Sequence, residues 1–345
     1  MDPITQKLLM SSTGSTGTSA LAISHGTSPF VTVYPWAGGF GTKYADPATL
    51  PVGTGNGVAF NPDGTALAIA HATTPFVTVY PWSGGFGTKY TNPATLPTGL
   101  ANGVAFSPSN AAIAVAHSVS PFVTAYPWSG SGFGTKYTNP GTLPTSAGFG
   151  VAFSPDGAAL AVVNDASPYV SVYPWSGSGF GSKYSDPATL PPSSANGVAF
   201  SPSSAAIAVA HFTSPRISVY PWSGSGFGTK YTDPSTLPVN TGNGVAFSPD
   251  GAALAVAHTG FPRISVYPWS GSGFGTKYTD PSTGIPPTRG NGVAFSSNSA
   301  AIAVAHDASP YVSVYPWSGG FGAKYSDPAT LPTGIGNGVS FKSIS

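Results

Sequence analysis

A single all-β propeller of seven four-stranded blades is the fold this sequence predicts, and three observations predict it. The first is composition: 345 residues hold 45 Gly and 36 Pro, only 7% are charged, and all 11 acidic residues are Asp. Helix surfaces need Glu, Lys, Arg and Gln, and Gly and Pro interrupt helices. Disorder is excluded as well, because 41% of the residues are apolar and 12% aromatic, which disordered chains are not. The second observation is a repeat. Tyr-Pro-Trp recurs with its Trp at 36, 82, 128, 175, 222, 269 and 317, at spacings of 46 to 48 residues, the length of a propeller blade. The third is an unequal strand count at the two ends, which a ring closed by mixing its termini requires.

Each unit reads NGVAFSPDGAALAVAH, a short turn, SPFVTVYPW, then SGSGFGTKYTDPATLP. NGVAFS is a β-branched and aromatic run closed by Ser-Pro-Asp-Gly, a type I turn signal with Pro at its second position. ALAVAH is the second strand. FVTVY is the third, and it ends where Pro withdraws a backbone donor, as at Pro81 or Pro127. FGTKY is expected as the fourth, short and polar, with one Lys to keep an exposed edge from pairing with strangers.

Counting copies of each strand predicts how the ring closes. The second, third and fourth strands first occur at Ala20 to Ser24, Phe30 to Tyr34 and Gly41 to Tyr44, with no first strand before them, and the matching first strand lies at Asn337 to Phe341. Pairing Val339-Ser340-Phe341 with Ala20 to Ser24 completes the seventh blade and removes the open edge. Residues 1–18 then form an N-terminal arm and 19–345 the propeller. The turns add a second period. Blades two, four and six carry Asp63-Gly64, Asp156-Gly157 and Asp250-Gly251, whereas three, five and seven carry Ser or Asn there, so the duplicated unit is read as a blade pair.

Up to the VAFSPDG turn, the LAVA strand and the third strand ending in Trp, residues 19 to 341 resemble the WD-repeat propellers. They depart from that pattern in having Ser or Ala after Trp, never Asp, and no Gly-His before the first strand. The fuller pattern, YPWSGGFGTKYSDPATLP in near-identical copies, resembles WD-like propeller proteins encoded by tailed bacteriophages. That resemblance implies a non-enzymatic virion component, a head decoration or tail-attached binding platform, made in the host cytoplasm without a signal peptide. Its expected partners are other virion proteins of the capsid or tail. A glycan-binding propeller for host or surface attachment, with aromatic rings in equivalent clefts between blades, is the alternative expectation.

Other classes are set aside on charge and composition. A net charge of +1 supplies no field for nucleic acid. Residues 1 to 17 have no apolar run longer than Leu8-Leu9-Met10, so no signal peptide is read there, and nothing approaches membrane-spanning length. With no Cys, disulfides and thiolate sites are out. No cofactor is implied.

The repeated polar residues read as structure. His25, His71, His117, His211, His258 and His306 close the second strand, with Asn164 in blade four; one imidazole per blade cannot converge on a single zinc at about 2.0 to 2.1 Å. Asn56, Asn102, Asn196, Asn243, Asn291 and Asn337 open the first strand, and only blade four has Phe149 there. Asn and His thus change together, which predicts an Asn–His contact between antiparallel neighbours. The Asp-Pro and Asn-Pro steps are turn formers rather than calcium cages, and the repeated lysines are expected to solvate the outermost strands.

Catalysis needs a break in the symmetry, because a site holds different groups in one pocket. No Glu and no Ser-His-Asp spacing supplies one, so an enzyme is not expected. What does break the repeat is a set of arginines. Arg216 and Arg263 stand where other blades have Phe or Tyr, Arg289 lies in the long loop into blade seven, and Phe212 and Phe261 sit in the same connections. All fall on one face over consecutive blades, with the Arg and aromatic content that interface cores enrich. The same arginines could instead pair with Asp165 or Asp307.

Overall fold

A computed structural model describes residues 19–342; the predicted arm, residues 1–18, lies outside them. Seven antiparallel sheets of three strands follow one another around a closed ring. Blade two is representative: an inner strand Gly55–Phe60, a middle strand Ala66–His71 and an outer strand Val77–Pro81. The predicted fourth strand is not a regular strand. It touches the sheet through one bridge, Trp82 to Phe86, and two backbone bonds, Gly87 N to Pro81 O (2.9 Å) and Tyr90 N to Val79 O (3.0 Å). Pro81 is the reason for so few contacts, since it removes the donor a continuous ladder would need.

Closure follows the strand count. The C-terminal strand Gly336–Phe341 pairs with Ser19–His25, Leu21 opposite Phe341 and Ala22 opposite Ser340, and it becomes the inner strand of blade one. Lys342 N donates to Ala20 O (2.8 Å) and Ser19 Oγ to Lys342 O (3.1 Å).

The alternation in ALAVAH explains how blades stack. Successive strand side chains point to opposite faces, so Ala66, Ala68 and Ala70 make a small-residue face against which Val104, Ile113, Val115, Tyr126 and Trp128 of blade three pack. Large-on-small packing repeats around the ring and buries every middle-strand residue of blades two to seven. Tyr80 OH, pushed above its ordinary pKa by burial, donates to Thr49 O of the preceding blade (2.6 Å), and Tyr34, Tyr126, Tyr173, Tyr220, Tyr267 and Tyr315 reach back likewise. This gives the repeated DPATLP loop its role as an interblade acceptor. The lysines, expected to solvate, are instead tucked in: Lys43 pairs with Asp46 with only 15% of its side chain exposed, and Lys183, Lys230, Lys277 and Lys324 repeat the pairing.

The blade pair is visible in the inner turns. Asn110, Ser204 and Ser299 hold the left-handed conformation (φ 57°, 56° and 56°) that Gly64, Gly157 and Gly251 hold in the other blades. In exchange each side chain reaches the turn of the preceding blade: Asn110 Nδ2 to Asp63 Oδ2 (2.6 Å), Asp156 N to Ser204 Oγ (3.0 Å), Asp250 N to Ser299 Oγ (3.1 Å).

Candidate functional site

The inner strands pack side by side around the ring, and glycine lets them come close: a Cβ on Gly57 would sit 3.0 Å from Asn102 O, and one on Gly197 2.8 Å from Asn243 O. At the same level the asparagines form a belt. Asn56 Nδ2 donates to Ala101 O, Asn102 to Gly148 O, Asn196 to Gly242 O, Asn243 to Gly290 O, Asn291 to Gly336 O and Asn337 to Gly55 O, all at 2.8 to 3.0 Å.

This belt corrects the predicted Asn–His contact. Gly55 lies opposite His71 and Gly57 opposite Ala70, so Asn56 is the extra residue of a β-bulge and turns toward the next blade. The histidines bond outward along their own face: His25 to Thr32, His71 to Thr78 and His117 to Thr124 (2.8 to 2.9 Å), and His211 to Ser218, His258 to Ser265 and His306 to Ser313 (3.1 Å). Burial holds all six imidazoles at a pKa of about 4.

Blade four is a natural deletion of both features. Phe149 cannot donate to Ala195 O, and Asn164 leaves its own Nδ2 and Ser171 Oγ buried without partners. Copying it elsewhere has a definite expected result: His258→Asn should orphan Ser265 Oγ and lower stability by about 1–3 kcal/mol, measured by denaturant unfolding. A variant as stable as the wild type would mean that the His–Ser bond contributes nothing.

Against this background a polar cluster at the end of the blade-seven middle strand is not repeated in the other blades; the Asn61–Asn110–Asp63 set in the turns of blades two and three is likewise single. Asp307 follows His306 at the end of a middle strand; Arg289 pairs with its Oδ2, and Asn291 Nδ2 donates to its Oδ1 (2.6 Å) while also holding its place in the belt. Arg289 has 53% of its side chain exposed and Asp307 23%, so a carboxylate braced from two sides opens to solvent at the inner rim. The sequence pattern places Arg289 in a candidate interface with Arg216 and Arg263. The sequence signal for its partner Asp307 lies in the comparison of blades: the position after the middle strand is acidic only in blades four and seven.

The other arginines are arranged differently. Arg216 and Arg263 occupy not the strand itself but the turn before it, at positive φ (74° and 77°) as Phe30 and Phe76 do in their blades. Arg263 Nη1 donates to Thr259 O (2.6 Å), and Arg216 Nη1 reaches Phe212 O only at 3.5 Å. Phe212 and Phe261 are exposed on the same face.

The tryptophans do not form the exposed clefts on which the glycan-binding expectation rested. All seven are 3–6% exposed, packed edge-to-face between blades; Trp82, for example, lies 5.0 to 5.5 Å from Tyr44, Phe60 and Phe86 by ring centroid. Rings so enclosed are core, not platforms for sugars.

No family model and no curated protein matches the chain. Solved structures do. A protein from Lactobacillus plantarum is 17% identical, with 94% of this chain and 99% of that one covered at a TM-score of 0.71. The periplasmic gluconolactonase PpgL of Pseudomonas aeruginosa is 16% identical over 95% and 100%, at 0.72. A Bacteroides uniformis protein provisionally named a 6-phosphogluconolactonase is 14% identical over 94% and 99%, also at 0.72. At these identities the likeness carries the seven-bladed propeller fold. Two expectations are nonetheless corrected. Nothing in these comparisons links the chain to phage or WD-repeat proteins, so the virion, decoration and tail assignments fall. The expectation that the chain is not an enzyme falls too, because structures of the same architecture carry lactonase names.

Proposed function

We propose that the protein binds a small lactone at the inner rim of blade seven and opens it by hydrolysis. One observation carries the reading: in a ring whose polar groups recur blade by blade, Asp307 is held by Arg289 and Asn291 in an arrangement found once. The lactonase names of similar structures support the choice of reaction.

The chemistry asks little beyond this set. One carboxylate oxygen accepts from Asn291 and the other is ion-paired with Arg289; both keep further lone pairs, so Asp307 is placed to take a proton from an attacking water. As water adds to the lactone carbonyl, the exposed side of the Arg289 guanidinium offers donors to the developing oxyanion. Collapse breaks the ring C–O bond, the proton held by Asp307 passes to the leaving alkoxide, and the hydroxy acid departs.

The test is proton release from a panel of five- and six-membered sugar lactones, corrected for the buffer rate. Wild type should exceed the buffer rate, and Asp307→Asn should lower kcat by about 10²-fold or more, the scale of general-base catalysis, with unchanged melting. Wild type indistinguishable from buffer on every lactone would refute the assignment.

A further inference from the structure

We propose that Lys89 and Lys136 are acylation sites, amines that open a lactone and keep its acyl group as an amide. A lysine recurs in every blade three residues before the Asp-Pro or Asn-Pro step, and the residue at that step is what varies. In five blades it is a carboxylate: Lys43 pairs with Asp46, Lys183 with Asp186, Lys230 with Asp233, Lys277 with Asp280 and Lys324 with Asp327. Blades two and three carry an amide instead. Lys89 Nζ donates to Asn92 Oδ1 (2.5 Å) and to Tyr90 O (3.3 Å), and Lys136 Nζ donates to Asn139 Oδ1 and to Tyr137 O (3.2 Å). Neither belongs to any of the ion pairs among the described residues.

That difference decides which amine is nucleophilic. An ammonium must lose a proton before it can attack, and a touching carboxylate holds the proton on, because opposite charge favours the charged form. A neutral amide holds it far less. The hydrogen bonds also suit the uncharged amine, which has two donors and one lone pair: at Lys89 and at Lys136 two neutral oxygens take the donors, and the lone pair is left for a carbonyl carbon. Burial acts in the same direction at Lys136, lowering its pKa below the ordinary lysine value with no carboxylate to offset it. Desolvation is a recognised way of activating a lysine toward carbonyl groups.

The step needs no co-reactant. Nζ bonds to the lactone carbonyl carbon, the ring C–O bond breaks with its electron pair going to the ring oxygen, and the proton shed by Nζ ends on that oxygen as a hydroxyl. The product is a hydroxyacyl amide, and one positive charge is lost. The choice of a lactone as donor rests on the proposed function; the ranking of the lysines rests on their partners alone.

Incubation of the full chain with excess, replenished δ-gluconolactone at about pH 8, below the ordinary lysine pKa, tests this when the adduct at each of the seven repeated lysines is followed by peptide mass mapping. Lys89 and Lys136 should gain it first. Asn139→Asp copies the residue of five other blades and so leaves the fold intact; it should slow Lys136 by about tenfold for each unit its pKa rises and leave Lys89 unchanged. Asp186→Asn should speed Lys183 by a like factor. Hydrolysis is read separately as proton release, so a chain that does not hydrolyse lactones can still carry the adduct, and the two claims fail independently. Adducts spread evenly over the seven lysines, adducts at none of them, or a Lys136 rate indifferent to Asn139→Asp would overturn the proposal.

Discussion

Lowering the pH from 7 to 4.5 should unfold this protein over a narrow interval. Six imidazoles are fully buried, and burial lowers each pKa from 6.5 to about 4. The unfolded chain takes up protons near pH 6.5, the folded one only near 4, so between those values the unfolded state binds more protons and stability falls as pH falls. Above 6.5 the contribution is fully present. One such group costs up to about 1.4 kcal/mol per pH unit, and six in parallel reach about 8 kcal/mol per unit as an upper bound. Domains are commonly stable by about 5–15 kcal/mol, so the midpoint should fall inside the window. Melts at half-unit steps, combined with titration of proton uptake on unfolding, measure it, and His258→Asn should reduce the uptake by one proton. A flat stability curve from pH 7 to 4.5 would contradict neutral burial.

Removing residues 336–345 should abolish cooperative unfolding. The deleted strand pairs with Ser19–His25, places Phe341 5.6 Å from Trp36, and donates through Asn337 Nδ2 to Gly55 O (2.9 Å) across the seam. Its loss leaves blade one with two strands and breaks the belt between blades one and two. Chemical unfolding followed by tryptophan fluorescence and by circular dichroism should then give broad, non-coincident transitions. A truncated chain that melts in one transition at the wild-type temperature would show that the ring does not depend on this closure.

The fold was legible because its signals are repeated: turn chemistry, two-residue alternation and the leftover strand at Asn337 to Phe341 each gave the same architecture. Where reading from the sequence went astray, the cause is geometric. The joint change of Phe149 and Asn164 suggested that Asn and His touch, but a bulge of one residue sends Asn56 sideways to the next blade. No residue pattern distinguishes a bulged asparagine from a paired one. FGTKY has the composition of an edge strand, yet the proline beside it limits its pairing to a single bridge. Repetition also concealed the site. Against seven-fold copies of each polar type Asp307 reads as a surface charge, and only the fold brings Arg289 and Asn291 onto its two oxygens. The blade-pair period, by contrast, was read from the turns and has a physical cause in the bonds from Asn110, Ser204 and Ser299.

The central claim is that function resides where the symmetry is broken, at Asp307, rather than in the grooves repeated between blades. One such groove, of about 510 Å³ between Phe40, Lys43, Tyr325 and Asp327, has a counterpart of about 600 Å³ between Lys230, Asp233 and Phe274. A crystal structure of the Asp307→Asn protein soaked with a sugar lactone decides between them. The account predicts ligand density within hydrogen-bonding reach of Arg289 and Asn291 at the inner rim of blade seven, and density in the interblade grooves with an empty rim would contradict it.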